Sequence, residues 1–372
     1  MINLLHGDCL EQMKTLEDNS VDSIVSDPPY GISFMAKKWD YDVPSVEVWT
    51  EALRVLKPGG HALIACGTRT QHRMVVNIED AGFEIRDVVS WIYGSGFPKS
   101  LNIHKKDERC PEGWGTALKP SSEFFTLCRK PLSEKTIAKN VLKWGTGGIN
   151  IDACRVEANG EKTGSNGACG MSPEKGWNAN SMSRDVTAEQ SQSQGRFPAN
   201  LIHDGSQEVL ELFPETKSGK MMPTKTTASR AIYGQNAKGG YTTQETIGDQ
   251  GSAARFFYSP KTSKKDRDEG MEGFEDKILY TKTGDTRPCN KGDNPSSIGS
   301  TLGKARNNHP TVKPTALMQY LCRLITPPNG IVLDPYMGSG STGKAALREG
   351  FSFVGCELDA DYFEIAKARV GS

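Results

Sequence analysis

The sequence predicts an α/β protein, a doubly wound seven-stranded mixed sheet with a variable lobe inserted into it. Three observations carry that expectation. Short apolar runs of strand length alternate with runs of helical spacing at both ends of the chain. Neither end holds enough strands for a complete sheet, with five expected near the N-terminus and two near the C-terminus. The middle, from about 145 to 308, shifts to Gly, Ser, Asn, Thr and Lys. The economical solution is one α/β unit built from residues 1–145 and 305–372, with 146–304 inserted as a loop-rich region.

The elements follow from pattern. Residues 2–6 read as a strand ending in Gly7-Asp8, and 9–16 as a helix with Leu10, Met13 and Leu16 on one face. Residues 21–26 form a second strand. Residues 45–56 form an amphipathic helix with Val48, Trp49, Leu53 and Leu56 inward, closed by Lys57-Pro58-Gly59-Gly60. A strand at 61–66, a helix at 70–81 and strands at 85–93 and 123–129 complete the N-terminal part. No periodic helix clearly separates the last two strands, so they are expected to pair antiparallel. Within the middle, 158–194 and 224–254 read as long loops, and 149–156, 197–203 and 255–258 as short ordered islands. Order returns with a helix at 314–325 whose inward face carries Leu317, Tyr320, Leu321 and Leu324. A strand at 330–333 ends at Asp334, a helix spans 342–349, a strand at 352–356 ends at Glu357, and a last helix spans 360–370.

Composition narrows the class. The 372 residues carry 45 basic and 45 acidic side chains, so any affinity for nucleic acid must come from local fields, such as the basic stretches 99–143 and 217–306. No run of about 18 apolar residues exists, which argues against a membrane helix, and the first residues lack a signal-peptide pattern. Nine scattered cysteines without a C-x-x-C pair fit reduced thiols better than disulfides or a zinc site.

Asp27-Pro28-Pro29-Tyr30 is the most informative motif. Proline fixes φ and leaves only its carbonyl for hydrogen bonding. The loop therefore offers two rigid acceptors, the Asp27 carboxylate and the Pro28 carbonyl, for an exocyclic amine, while Tyr30 can stack on the ring bearing it. A planar amino-heterocycle such as adenine or cytosine fits; a strand-ending turn is the plain alternative. The second motif runs Asp334-Pro335-Tyr336-Met337-Gly338-Ser339-Gly340-Ser341-Thr342-Gly343 between a strand and a helix. Its glycines satisfy the dinucleotide fingerprint and allow close backbone approach, and the acid closing the next strand, Glu357, can accept from ribose hydroxyls. These features say adenosine-containing cofactor, either NAD or S-adenosylmethionine. Asp334 favours the latter, since its carboxylate would repel a pyrophosphate and pair with a methionine ammonium. Thr311 and Lys313, in His309-Pro310-Thr311-Val312-Lys313-Pro314, can serve a ligand carboxylate or simply enter a helix.

Together these residues resemble the amino-methyltransferases of DNA, which move a methyl group from S-adenosylmethionine to adenine N6 or cytosine N4. The likeness covers about 1–130 and 305–372. Asp27-Pro28-Pro29-Tyr30 matches the catalytic motif in its usual adenine form; cytosine enzymes more often begin it with serine. The stretch from Asp334 to Thr342, with Tyr336, Gly338, Ser339, Gly340 and Ser341, matches the cofactor motif. The segment holding Thr311 and Lys313 matches the one that precedes it, and Gly7-Asp8-Cys9 the acidic strand end near the cofactor's adenine ring. The order, catalytic motif before cofactor motif, resembles the permuted beta group. The resemblance implies the S-adenosylmethionine-dependent methyltransferase fold in circularly permuted order, with seven strands and an antiparallel hairpin. It also implies double-stranded DNA as partner, no membrane and no metal, in the cytoplasm of a bacterial or phage-infected cell. The phrases at 94–100 and 195–200 look like phage or prophage enzymes. The middle resembles a target-recognition region by position. Homodimerisation, and a restriction endonuclease partner as against an orphan enzyme, stay open.

Adenine N6 is the expected acceptor, with Asp27 and the Pro28 carbonyl taking the two amine hydrogens of a flipped-out base. Phe34 and Trp39 can assist or belong to the core, and Lys99, Lys105, Lys106, Arg129 and Lys130 are candidates for phosphate contact. Cytosine N4 is the alternative base, and a catalytically silent DNA-binding protein the alternative class. An NAD-type dehydrogenase lacks the His-Asp or Tyr-Lys pairing it needs.

Overall fold

The computed structural model describes residues 1–32, 40–96, 100–157, 195–217, 225–226, 241–242, 250–260, 264–275, 277–280 and 301–371. Its main sheet contains β1 (Ile2–His6), β2 (Val21–Ser26), β3 (Leu56–Gly67), β4 (Glu84–Ile92), β5 (Ser122–Arg129), β6 (Leu201–His203), β7 (Ile331–Asp334) and β8 (Ser352–Glu357). The spatial order is β1-β8-β7-β2-β3-β5-β4-β6. From β1 to β3 every neighbouring pair is parallel. β5 then pairs antiparallel with both β3 and β4, as the missing crossover between β4 and β5 requires.

The sheet has eight strands, which corrects the expected seven. The addition is β6, a three-residue strand from the middle segment, lying parallel to β4 through Ser90↔Leu201 and Ile92↔His203. The other edge of β4 is already taken by β5. Its free edge would be a row of unpaired backbone groups, and β6 covers part of it. A three-residue run carries too little periodicity to be read as a strand from sequence.

Helices α1 (Cys9–Met13), α2 (Val46–Val55) and α3 (Gln71–Asp80) pack on one face, and α5 (Thr315–Ile325), α6 (Ser341–Arg348) and α7 (Ala360–Val370) on the other. The period of two in β3 divides the core: Ala62, Ile64 and Cys66 join Trp49, Met74 and Ile78, whereas Leu63 and Ala65 join Leu317, Leu321 and Phe353. Each such aliphatic side chain removed from water contributes roughly 1.5–3 kcal/mol. Burial on both faces explains the near-continuous apolar runs of these strands. Among the described residues no helix is long and apolar enough to cross a membrane.

Two local expectations are corrected. The Lys57-Pro58-Gly59-Gly60 stretch does not close α2 as a separate turn; β3 begins at Leu56 and carries it as an irregularity, its pairing with β2 jumping from Val21↔Leu56 to Ser23↔His61. Between β5 and the middle segment lies an unanticipated helix, α4 (Ile137–Trp144), capped by Thr136 and ended by Gly145 in the left-handed conformation. Its buried Asn140 donates to the carbonyls of Pro58 and Thr146, at 2.7 and 2.8 Å, and so secures that irregularity.

Candidate active site

The chemistry-bearing residues gather where the parallel strands end. Asp8 follows β1, Glu357 closes β8, Asp334 closes β7 and Asp27 follows β2, so adjacent strands present an acidic rim along one sheet edge. Open α/β sheets place their ligand crevice at this edge. Ser26 joins the two motifs, donating from Oγ to Asp334 Oδ1 at 2.6 Å. The Asp27-Pro28-Pro29-Tyr30 loop and the glycine turn are thus neighbours despite their separation in sequence.

On the Asp27 side, four side chains form one cluster. The Tyr30 hydroxyl donates to Asp27 Oδ1 at 2.7 Å and lies 3.1 Å from Glu123 Oε2. Lys313 Nζ is 2.7 Å from Asp27 Oδ2, 3.1 Å from Glu123 Oε2 and 3.2 Å from the Tyr30 oxygen. Burial alone would depress the ammonium, but Asp27 and then Glu123 hold it above its ordinary value. Lys313 is thus paired within the cluster of the Asp27 loop. Asp40 fixes the backbone of the loop by accepting from the Tyr30 and Gly31 N–H groups at 2.7 and 2.9 Å. Pro28 is buried and Pro29 half-buried; among the described residues no donor takes the Pro28 carbonyl. The Tyr30 ring packs against both core clusters, with Lys313 Nζ 5.4 Å from its centroid.

On the glycine side, Asp334 is 1% exposed. Its carboxylate accepts from Ser26, from the Tyr336 N–H at 3.1 Å and from the Thr342 hydroxyl. That engagement commits it to shaping the turn. Burial nevertheless pushes it up to about 6. Glu357 accepts from the Asp359 N–H at 2.7 Å and from the Gly338 N–H, and burial followed by the Asp359 charge pushes it up to about 7. The strongest influences on both acids are desolvation, protein donors and other carboxylates, so this end of the rim suits a cationic ligand and opposes a pyrophosphate. Gly338 and Gly340 have positive φ, and a side chain at either would meet His309, or Val370 and Ala366. The glycines are required by the packing of the turn itself.

The remaining rim residues fall as follows. Asp8 is exposed and caps α1 by accepting from the Leu10 and Glu11 N–H groups at 3.0 and 3.3 Å. Cys9 is buried and hydrogen-bonded with Tyr336; burial raises its thiol to about 11, which leaves it inert as a nucleophile. Thr311 is exposed, its N–H 3.4 Å from His309 Nδ1. Ser339, Ser341 and Thr342 are buried. The fully buried Arg369 donates to Ser339 O and Oγ at 2.6 and 2.9 Å, and lies 3.4 Å from Ser341 Oγ.

Three contributors escape sequence reasoning. Glu123, the second residue of β5, reaches the cluster only because β5 runs antiparallel, pairing it with Gly67 at the strand-end edge. Asp266, from the middle segment, accepts from the Thr315 N–H at 2.7 Å and from Lys344 Nζ at 3.0 Å, while its carbonyl receives Arg369. Its run of alternating charge, 264–269, reads as ordinary surface. Arg369 looks like one more basic residue in the last helical turn. Two phosphate candidates are corrected: Arg129 is buried and bound to Glu84 at 2.6 Å, and Lys130 donates to Asn19 and to the Leu56 carbonyl at 2.8 and 2.6 Å. Arg129 lies at the opposite end of β5 from Glu123. Lys105 and Lys106 are exposed on the β4–β5 connection. Phe34, Trp39 and Lys99 lie outside the described residues.

The sequence model of the DNA methylase family matches residues 21–368. A putative methylase of Escherichia coli K12, YubD, is 45% identical over 65 residues, 18% of this chain and 29% of that protein. A type II methyltransferase of Lactococcus lactis subsp. cremoris, M2.LlaDCHI, is 39% identical over 67 residues, 18% of this chain and 25% of that protein. The matches thus span less than a third of these relatives' own length. Among solved structures, the M1.HpyAVI–SAM complex is 17% identical with a TM-score of 0.42, all of both chains being covered. The cytosine-N4-specific PvuII DNA methyltransferase is 13% identical with a TM-score of 0.47, covering 99% of this chain and 86% of that one.

Proposed function

The chain belongs to the DNA methylase family, and from that premise we propose that it transfers a methyl group from S-adenosylmethionine to the N6 amino group of adenine in double-stranded DNA. The observation that carries the proposal is the Ser26–Asp334 hydrogen bond, which ties an amine-accepting loop to a turn suited to a cationic adenosine ligand. S-adenosylmethionine supplies an electrophilic methyl on a positively charged sulfur. The acidic rim would accept that charge; Glu357 and Asp8 would serve its ribose and adenine, and the turn from Tyr336 to Thr342, with Asp334 behind it and Thr311 at the rim, would shape its seat.

The amine lone pair is delocalised into the base, which makes it a weak nucleophile. Asp27 and the Pro28 carbonyl accept its two hydrogens and favour a pyramidal nitrogen, with Pro29 and Tyr30 forming the wall beside the ring. The nitrogen bonds the methyl carbon as the carbon–sulfur bond breaks, the pair staying on sulfur to leave a neutral thioether, and one amine proton is then lost to water. Positioning and fixed acceptors supply the acceleration. The amine is inaccessible inside a duplex, so the base must leave the stack, at about a few kcal/mol. Adenine is preferred over cytosine because Asp, not Ser, opens the motif. Residues 146–304 are the proposed target reader, and the cytoplasm of a bacterial or phage-infected cell is the proposed setting.

The test is incubation with labelled S-adenosylmethionine and mixed-sequence unmethylated DNA, followed by nucleoside analysis. N6-methyladenine that disappears in Asp27→Ala, with cofactor affinity retained, is the expected result. N4-methylcytosine would transfer the same chemistry to the other base. Methylation undiminished in Asp27→Ala would overturn the assignment of that residue.

A further inference from the structure

Both oxygens of Asp27 already hold protein donors, Tyr30 on Oδ1 and Lys313 on Oδ2, each at 2.7 Å. A carboxylate oxygen can take a second donor. Its charge is then divided, and it grips an incoming amine less well. The Tyr30 proton has a second address, however, because Glu123 Oε2 lies 3.1 Å from the same hydroxyl. One hydroxyl carries one proton, which can serve Asp27 or Glu123 but not both.

We propose that Glu123 is a positioning residue for the transfer reaction: as the target amine enters, Glu123 takes the Tyr30 hydroxyl hydrogen bond, and Asp27 Oδ1 is released to the amine. The exchange needs only rotation about the phenolic C–O bond; no ring or backbone movement is involved. Lys313 bridges both carboxylates and the Tyr30 oxygen throughout, so the cluster keeps its charge balance during the exchange. Burial, then Asp27 and Glu123, hold the Tyr30 phenol well above its ordinary value, so it remains a donor. The Tyr93 hydroxyl, 3.4 Å from Glu123 Oε1, steadies the far oxygen. The inference rests on the amino-methyl reading above.

The test is a double-variant cycle on the full chain, with S-adenosylmethionine and DNA that the unaltered chain methylates. Glu123→Gln weakens the second acceptor and should lower kcat by about tenfold or more, one charge-assisted hydrogen bond's worth, with KM for S-adenosylmethionine within about twofold. Glu123→Asp keeps the charge beside Lys313 but withdraws the oxygen from Tyr30; it should also lower kcat, which separates the exchange from mere loss of charge. Tyr30→Phe removes the hydroxyl that must move. In that background Glu123→Gln should change kcat by less than about threefold. Wild-type kcat in Glu123→Gln or Glu123→Asp overturns the inference, and so do fully independent losses in the double variant. Absence of transfer by the unaltered chain removes the functional reading and the inference together; transfer with independent losses removes the inference alone.

Discussion

Asp334 and Glu357 show what a ligand must do at this rim. Ordinary values of 3.8 and 4.5 are raised to about 6 and about 7, burial being the first cause in both. A raised acid favours the fold while protonated, so its contribution is present below the unfolded value and is lost as pH rises through the folded one. For Asp334 that loss amounts to about 3 kcal/mol. A cationic ligand favours the ionised forms. Between about pH 4 and pH 7, stability of the ligand-free chain should therefore fall with rising pH while affinity for S-adenosylmethionine rises. Parallel melting and calorimetric titrations read both trends; Glu357→Gln should weaken binding at the upper end and flatten its slope, and trends of the same sign would refute the account. Asp27 and Asp334 were legible in the sequence because each sits in a local motif after an apolar strand. Glu123 was not, because its place beside Asp27 is created by strand register, and Lys313, read in sequence as a partner for a ligand carboxylate, is paired in the structure with Asp27 and Glu123.

Among the elements, the middle segment contributes more to the scaffold than its composition suggests. Asp266 receives the first N–H of α5, the buried Lys344 of α6 and, through its carbonyl, Arg369 of α7. It thereby couples the helices that support the glycine turn. Met271 packs with Tyr362 and Ile365 to hold the segment in place. Asp266→Ala leaves Lys344, 5% exposed, with Glu269, at 2.7 Å, as its remaining carboxylate among the described residues. Breaking such a buried charge network should destabilise the chain by roughly 3 kcal/mol and weaken cofactor binding while leaving the Asp27 cluster intact. Urea unfolding reads the first effect and calorimetry the second; unchanged midpoint and affinity would show the segment to be ornamental. Helical periodicity identified α5, α6 and α7 in sequence, whereas a single acid joining all of them carries no periodic signal.

At the scale of the whole molecule, sheet order governs how the chain can be divided. β8 and β7, from the C-terminal end, lie between β1 and β2 from the N-terminal end. The backbone links confirm how intimate this is, with Phe353 N donating to Met1 O at 3.0 Å and Gly7 N to Glu357 O at 2.9 Å. A fragment of residues 1–145 would leave β1 with no partner and β2 with one bare edge. It would also expose the Leu63 and Phe125 face, which is otherwise covered by α5 and α6. The fragment 146–372 would hold β7 and β8 without β1 or β2 on either side. Neither buries enough apolar surface to offset the entropy of ordering its chain. Each fragment alone should therefore unfold without a cooperative transition, while the two co-expressed should co-purify and regain the cooperative melt of the intact chain. A sharp, denaturant-induced transition in 1–145 alone would mean that the N-terminal strands form a self-sufficient sheet, and that the interleaving of the two ends serves the crevice rather than the fold.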